Sequence, residues 1–170
     1  MVIKQLDLIP FFQSVLKLKS IKRAGWISKV NVRNPESVAD HTYSMCAISM
    51  VLADILGLDT ERIMRMVILH DLAESAIGDY TPNQITKKKK TLEEKNAMNS
   101  ILSCIPSDIY LNYKKIWQEY LLNKTDIAHF VHKMDKLEMA LQARQYLKEG
   151  YSSKLLAPFF NSNEKIHRNY

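Results

Sequence analysis

Apolar residues in this chain recur every three or four positions, the spacing that lines one face of an α-helix. Strict alternation of the kind a strand needs extends no further than a few residues around Val30 to Arg33. Leu8, Phe12, Val15 and Leu16 predict a first helix, with Pro10 near its start, where a missing backbone N–H costs least. Val38, His41, Met45, Ile48 and Leu52 predict a second, stopped by Gly57. Asp59 caps a third, which carries Ile63, Met66, Val67, His70 and Glu74 as far as Gly78. Asp79 to Asn83, with Pro82 inside, reads as a loop. Thr91-Leu92-Glu93-Glu94 has the form of a capping box and predicts a helix from Thr91 to about Cys104. Pro106 and Ser107 restart the chain, and Tyr113, Ile116, Trp117, Tyr120 and Leu121 make the next stripe. Thr125 caps the longest helix, whose stripe Ile127, Phe130, Met134, Leu137 and Leu141 ends near Gly150.

The expectation is an all-α fold of about six or more helices in one domain, residues 1–170, without internal repeats. Its core spans about 8–147. A C-terminal extension, about 151–170, holds the apolar run Leu155 to Phe160 around Pro158, which packs back on the body or on a second subunit.

Composition narrows the class. A hydrophobic content of 46% in 170 residues fills a core, and only 4 Gly and 5 Pro argue against a turn-rich sandwich or a low-complexity linker. Cys46 and Cys104 lie too far apart for a zinc ribbon or a disulfide scaffold, and read as buried free thiols of a reducing compartment. Lys4, Gln5, Asp7 and Pro10 interrupt the stretch from Met1 to Phe12, so no signal peptide is expected there. No segment approaches the ~18 apolar residues of a membrane span, and the expected location is cytoplasmic. Seven of the 24 Lys and Arg residues but one of the 18 acids lie in the first 33 residues, so that segment carries the whole net charge of +6. A solvated basic surface explains this; so does an anionic partner, a nucleic-acid backbone or a phosphorylated small molecule.

The informative anomaly is polar residues on inward helix faces. His41 stands one turn before Met45, and His70 follows Met66 and Val67 by four and three positions. On a continuous helix His70 and Glu74 are separated by about 40° around the axis, with Asp71 about 60° beyond Glu74. Asp135 has Val131 and Met139 as its one-turn neighbours. A lone inward histidine is usually a hydrogen-bonded core residue. Two histidines with carboxylates on three helices suit either a His–carboxylate network or a divalent cation held by neutral imidazoles and ionised carboxylates. Two nitrogens and two carboxylate oxygens leave an octahedral ion two open positions, which suits a hydrolase better than a closed structural site.

The order of these residues, His41, the doublet His70-Asp71 and the distant Asp135, resembles the HD-domain metal-dependent phosphohydrolases. The surrounding words Arg23-Ala24-Gly25-Trp26, Pro35-Glu36-Ser37-Val38-Ala39-Asp40-His41, Leu69 to Glu74, Ile77-Gly78-Asp79 and Met134 to Glu138 are similar to the 5′-deoxynucleotidase branch, over roughly residues 8 to 147. The resemblance implies a helical fold, commonly a homodimer, and hydrolysis of (deoxy)nucleoside 5′-monophosphates to nucleoside and phosphate. It implies His41, His70, Asp71 and Asp135 as ligands of one divalent metal ion (Mn, Co, Mg, Fe, Ni or Zn). Arg23 becomes the phosphate-gripping residue, Glu74 the catalytic carboxylate and Asp79 a second one, for the leaving 5′-oxygen or the sugar. Trp26 is assigned to the sugar or to a hydrophobic anchor. Glu36 and Asp40 read as partners of the ligands or as ordinary helix-start acids, and Asp40 as a surface partner of Lys136. Lys87 to Lys90 read as a solvated loop, or as an anion attractor if near the pocket mouth; His129, His132 and His167 read as surface or packing residues. Other readings are a hydrolase of the same fold acting on a nucleoside triphosphate, dinucleotide or cyclic nucleotide, and a non-enzymatic nucleotide- or RNA-binding module. The primary reading expects no nucleic acid and no membrane partner.

Overall fold

The computed structural model describes residues 7–81 and 83–161, and the fold over them is helical. In chain order the elements are α1 (Ile9–Lys17), a short 3-10 turn (Leu18–Ser20), α2 (Ala24–Val30), α3 (Val38–Leu56), α4 (Thr60–His70) and α5 (Glu74–Ile77). They continue with α6 (Lys87–Leu102), α7 (Ser107–Leu122), α8 (Asp126–Lys148) and α9 (Ser153–Asn161). The only β feature among the described residues is an isolated bridge between Lys22 and Ser37.

Most boundaries follow from local chemistry. Asp59 accepts from Arg62 N at 3.0 Å and Thr125 Oγ1 from Ala128 N at 3.2 Å, as expected of helix caps. Gly57 ends α3 at φ 66°, a left-handed conformation that glycine adopts without strain.

Three expectations are corrected. The third helix does not run to Gly78: α4 stops at His70, residues 71–73 form a turn, and α5 is a separate short helix. The expected box at Thr91 lies inside α6, which starts four residues earlier with Thr86 Oγ1 accepting from Lys89 N at 3.3 Å. Lysines are good helix formers, and Lys89–Glu93 and Lys90–Glu94 pair one turn apart, so the lysine run is helical rather than a loop. The capping box lies instead at Ser37 and Asp40, each side chain bonding the other's backbone N–H, which explains the acid before His41. Cys46 and Cys104 are half-buried free thiols. Pro82, His167 and the extension beyond residue 161 lie outside the described residues.

The side chains form two cores. The larger joins α3, α4, α7 and α8 through Met45, Met66, Val67, Trp117, Val131 and others. Burial of each such side chain contributes roughly 1.5–3 kcal/mol. The smaller joins Trp26, Val30 and Val32 of the α2 region to Ala143 and Tyr146 of α8 and Leu156 of α9. Thus α9 packs back on the body, and α8 serves both cores from opposite ends. The stripe of α1 is a weaker fit to its prediction, since Phe12 is 50% and Leu16 61% exposed.

Candidate metal centre and active site

The polar side chains of α3, α4 and α8 meet where the two cores adjoin. His41, in the first turn of α3, is wholly buried, and its Nδ1 lies 2.5 Å from Glu138 Oε2. His70, at the end of α4, has its Nδ1 2.6 Å from Val67 O. A carbonyl oxygen only accepts, so His70 Nδ1 carries the proton and Nε2 presents a lone pair when the ring is neutral. The last carbonyls of a helix lack backbone partners, and at the end of α4 the His70 imidazole takes one of them.

Both Nε2 atoms are buried without hydrogen-bond partners. Each is approached by carboxylate: His70 Nε2 lies 3.0 Å from Asp71 Oδ2, and His41 Nε2 lies 3.3 Å from Asp135 Oδ1 and 4.0 Å from Asp71 Oδ2. His41, His70 and Asp71 offer donor atoms within 4.8 Å of one another, and Asp135 joins them through His41. Two aimed but unsatisfied nitrogens facing carboxylates are the donor set of a divalent cation, and the residues present fit one. The electrostatics agree. Burial and Arg23 lower the pKa of His41, but Asp135 and Glu138 outweigh them and raise it to about 10. Burial opposes ionisation of Asp71, yet His70, Arg23 and His41 hold its carboxyl well below the usual range. His41 keeps Asp135 low in the same way against desolvation. The carboxylates thus favour positive charge at this place, which a cation supplies.

His70, Asp71 and Asp135 line a cavity of about 580 Å³ together with Arg23, Glu74 and Asp79, with His41 buried behind them. Arg23 is positioned by the β-bridge: its N–H bonds Glu36 O at 3.1 Å, while Val38 N bonds Ile21 O at 2.8 Å. Its Nη1 reaches Asp71 Oδ2 at 3.2 Å. Desolvation lowers the Arg23 pKa, but Asp71, Asp135, Asp79 and Glu74 surround it and raise it overall. Asp79 Oδ2 accepts from Ala24 N at 2.8 Å, holding the α2 N-terminus against the loop after α5. Glu74 is 2% exposed, and desolvation with Asp71 and Asp79 pushes its carboxyl well above the ordinary value, opposed by Lys90 and Arg23. Lys90 Nζ lies 3.4 Å from Glu74 Oε1, so the last lysine of the run belongs to the site.

All four expected metal ligands and Arg23, Glu74 and Asp79 therefore converge. Trp26 is 2% exposed and is among the residues lining the cavity; its Nε1 donates to Glu36 Oε1 at 2.8 Å, and Tyr146 packs edge-on to it. It is therefore a buried anchor that also borders the cavity. Glu36 is drawn into the interior. Desolvation and Glu138 raise its carboxyl to about 7 against the Trp26 hydrogen bond. His132 stacks on Tyr120, whose other neighbour is the His70 ring, and bonds the Tyr120 carbonyl through Nε2, while His129 Nε2 bonds Asn123 O.

Sequence reasoning missed Glu138 as a site residue. The signal was present: Glu138 follows Asp135 by three positions, so it shares its helix face, and apolar neighbours one turn away mark that face as inward. The pairing of Lys90 with Glu74 had no such signal.

The sequence and the fold match known proteins. The family model for the HD domain matches residues 15–169. The human "5′-deoxynucleotidase HDDC2" is 36% identical over 92% of this chain and 76% of its own length. The Dictyostelium discoideum protein of that name is 39% identical over 94% of this chain and 90% of its own. Among solved structures, the PH0347 protein of Pyrococcus horikoshii superposes with a TM-score of 0.78 at 32% identity, covering 94% of this chain and 89% of that one. A conserved hypothetical protein from Pyrococcus furiosus gives 0.76 at 31% identity, covering 94% and 90%. The buried His–Asp cluster and a family match spanning nearly all of the chain lead to the same place: this protein belongs to the HD-domain family.

Proposed function

We propose that the protein is a metal-dependent phosphohydrolase that converts deoxynucleoside 5′-monophosphates to nucleoside and inorganic phosphate. The observation that carries this reading is the pair of buried, unpartnered His41 and His70 Nε2 atoms facing Asp71 and Asp135, beside Arg23 and Glu74 in one cavity. Relatives whose names state that activity support the substrate class.

His41, His70, Asp71 and Asp135 would hold one divalent ion, Mn, Co, Mg, Fe, Ni or Zn, which supplies Lewis acidity to a phosphoryl oxygen and acidifies water. Arg23 grips the phosphate through the fork of its guanidinium and stabilises the charge spread over the equatorial oxygens. Its contact with Asp71 keeps that fork oriented before substrate arrives. Glu74 takes the proton of the attacking water, a contribution of roughly 10²–10⁴ in rate for a positioned base. Lys90 supports the ionised form of Glu74 that this role needs. Asp79 is already an acceptor at Ala24 N, and its carboxylate suits a sugar hydroxyl better than it suits proton donation.

Exposed apolar side chains on α3, among them Tyr43, Met50, Val51 and Ile55, support assembly into a homodimer, which light scattering of the purified chain tests. A cytoplasmic site of action accords with the free thiols. No helix among the described residues is long and apolar enough to cross a membrane.

The test is a matrix of metals against deoxy- and ribonucleoside monophosphates, triphosphates and cyclic nucleotides with chelator-stripped protein, reading released phosphate. Phosphate from deoxynucleoside monophosphates, restored by one of these metals, is the expected result. Pyrophosphate or triphosphate as the product, or turnover indifferent to metal, rejects the reading.

A further inference from the structure

One buried polar side chain of the cavity wall has no task in the proposed reaction: Tyr120 of α7. It follows Ile116 by four positions and Trp117 by three, so it shares their face. All three belong to the larger core, and Tyr120 also lines the cavity. Its ring is clamped. The His70 ring is centred 5.5 Å away and inclined by 74°, while the His132 ring stacks at 4.1 Å and 12°. His132 Nε2 also bonds the Tyr120 carbonyl at 3.0 Å. His132 precedes Asp135 by three positions on α8, so the phenol is fixed against both the α4 and the α8 side of the His–Asp cluster.

A buried tyrosine usually gives its O–H to a protein acceptor. The Tyr120 hydroxyl has no hydrogen-bond partner among the described residues, although the residue is only 9% exposed. Nor is it sealed in the core, as the partnerless Trp117 Nε1 is; it reaches open space, and the space that Tyr120 borders is the cavity. Its electrical surroundings are those of the site. Burial pushes the phenol well above its ordinary value, and Asp135, Asp71 and Glu74 add to this against Arg23, so the hydroxyl keeps its proton. All four of those residues line the same cavity. An uncharged donor suits this place. A lysine or arginine here would compete with a divalent ion for Asp71 and Asp135, whereas a phenol offers hydrogen without positive charge. The complement of a free O–H beside Arg23 and a cation-binding cluster is an anionic oxygen.

We infer that Tyr120 is a direct substrate contact, whose hydroxyl donates a hydrogen bond from α7 to a non-bridging phosphoryl oxygen while Arg23 grips the phosphate from the start of α2. The inference rests on the monophosphatase reading, which brings a phosphoryl group to the His–Asp cluster. The clamp on the ring sets the hydroxyl before substrate arrives, so the bond forms without the cost of ordering a loose side chain. It also gives His132 a purpose, as the residue that holds the phenol in place.

The experiment uses Tyr120→Phe in the metal-loaded full chain, which keeps the ring and its stack on His132 and removes only the hydroxyl. It is expected to lower kcat/KM for a deoxynucleoside 5′-monophosphate about ten- to a hundredfold, the effect of losing one hydrogen bond to a charged group. Competitive inhibition by inorganic phosphate should weaken about tenfold or more, while inhibition by the deoxynucleoside, which has no phosphate, stays unchanged. The dissociation constant for Mn²⁺, from competition with a chromophoric chelator, should stay within about twofold of the wild type, because no ligand is disturbed. A variant whose kcat/KM and phosphate inhibition match the wild type overturns the contact. So does one that loses Mn²⁺ affinity in step with activity, or whose two inhibitors weaken alike, the signatures of a merely structural ring. If the loaded wild type hydrolyses no nucleoside monophosphate, the monophosphatase reading falls by itself. Calorimetric binding of inorganic phosphate to the Mn²⁺-loaded wild type and Tyr120→Phe proteins then decides the hydroxyl separately, and equal affinities overturn it.

Discussion

Glu138 meets His41 at Nδ1, the nitrogen turned away from Asp71 and Asp135, and through it should control metal affinity. Its Oε2 lies 2.5 Å from His41 Nδ1, with His41 fully buried and Glu138 2% exposed. A hydrogen bond to a charged partner in such a place is worth about 1.5–3 kcal/mol net. The carboxylate fixes the His41 tautomer and makes Nε2 more basic; loss of such an outer partner typically weakens metal binding 10–100-fold. Glu138→Gln keeps an acceptor but loses the charge, so its dissociation constant for Mn²⁺ should rise about tenfold. Glu138→Ala strands the Nδ1–H as well, and a rise of about a hundredfold is expected. Competition against a chromophoric chelator at constant pH measures both, with circular dichroism checking that the helices persist. A folded Glu138→Ala protein that binds Mn²⁺ within twofold of the wild type would refute the reasoning.

The other predictions separate the remaining roles. Glu74→Gln should bind metal normally and lose roughly 10²–10⁴ in kcat, measured by phosphate release; normal turnover dismisses it as the base. Arg23→Lys keeps the charge but not the fork, and should lower kcat/KM for monophosphates about tenfold or more; an unchanged value would remove Arg23 from phosphate binding. Glu36 rises from 4.5 to about 7, so the folded state holds its proton more tightly than the unfolded chain. Its contribution is therefore present in full below pH 4.5 and lost as pH climbs through about 7, by on the order of 3 kcal/mol. Glu36→Gln keeps the acceptor for Trp26 and should flatten that decline relative to the wild type in urea titrations of metal-free protein at several pH values; parallel curves would rule out the effect.

Much of the fold was legible because helices announce themselves locally. Met45, Met66, Ile116 and Phe130 are buried, as their three-and-four spacing required, and Asp59, Gly57 and Thr125 mark their boundaries by backbone chemistry that needs no distant partner. The errors arose where two local signals competed. Thr86 and Thr91 both precede good helix formers, and the tertiary pairing of Lys90 with Glu74 accompanies the earlier start. Helix α2 carries a short run around Trp26 with too few turns for a periodic pattern, and its N-terminus is held by Asp79, fifty-five residues away.

By itself, the sequence determined most of the side chains that face inward along α3, α4, α7 and α8, and therefore that His41, His70 and Asp135 would be drawn toward the interior with apolar neighbours on either side. That information is carried by periodicity, a property of each segment alone. Only the tertiary structure decided that α4 breaks at His70, that Glu138 grips His41 from ninety-seven residues away, and that Lys90 and Phe159 reach the same cavity. Those outcomes depend on the distances between helices, and those distances follow from how side chains from separate elements fill shared space.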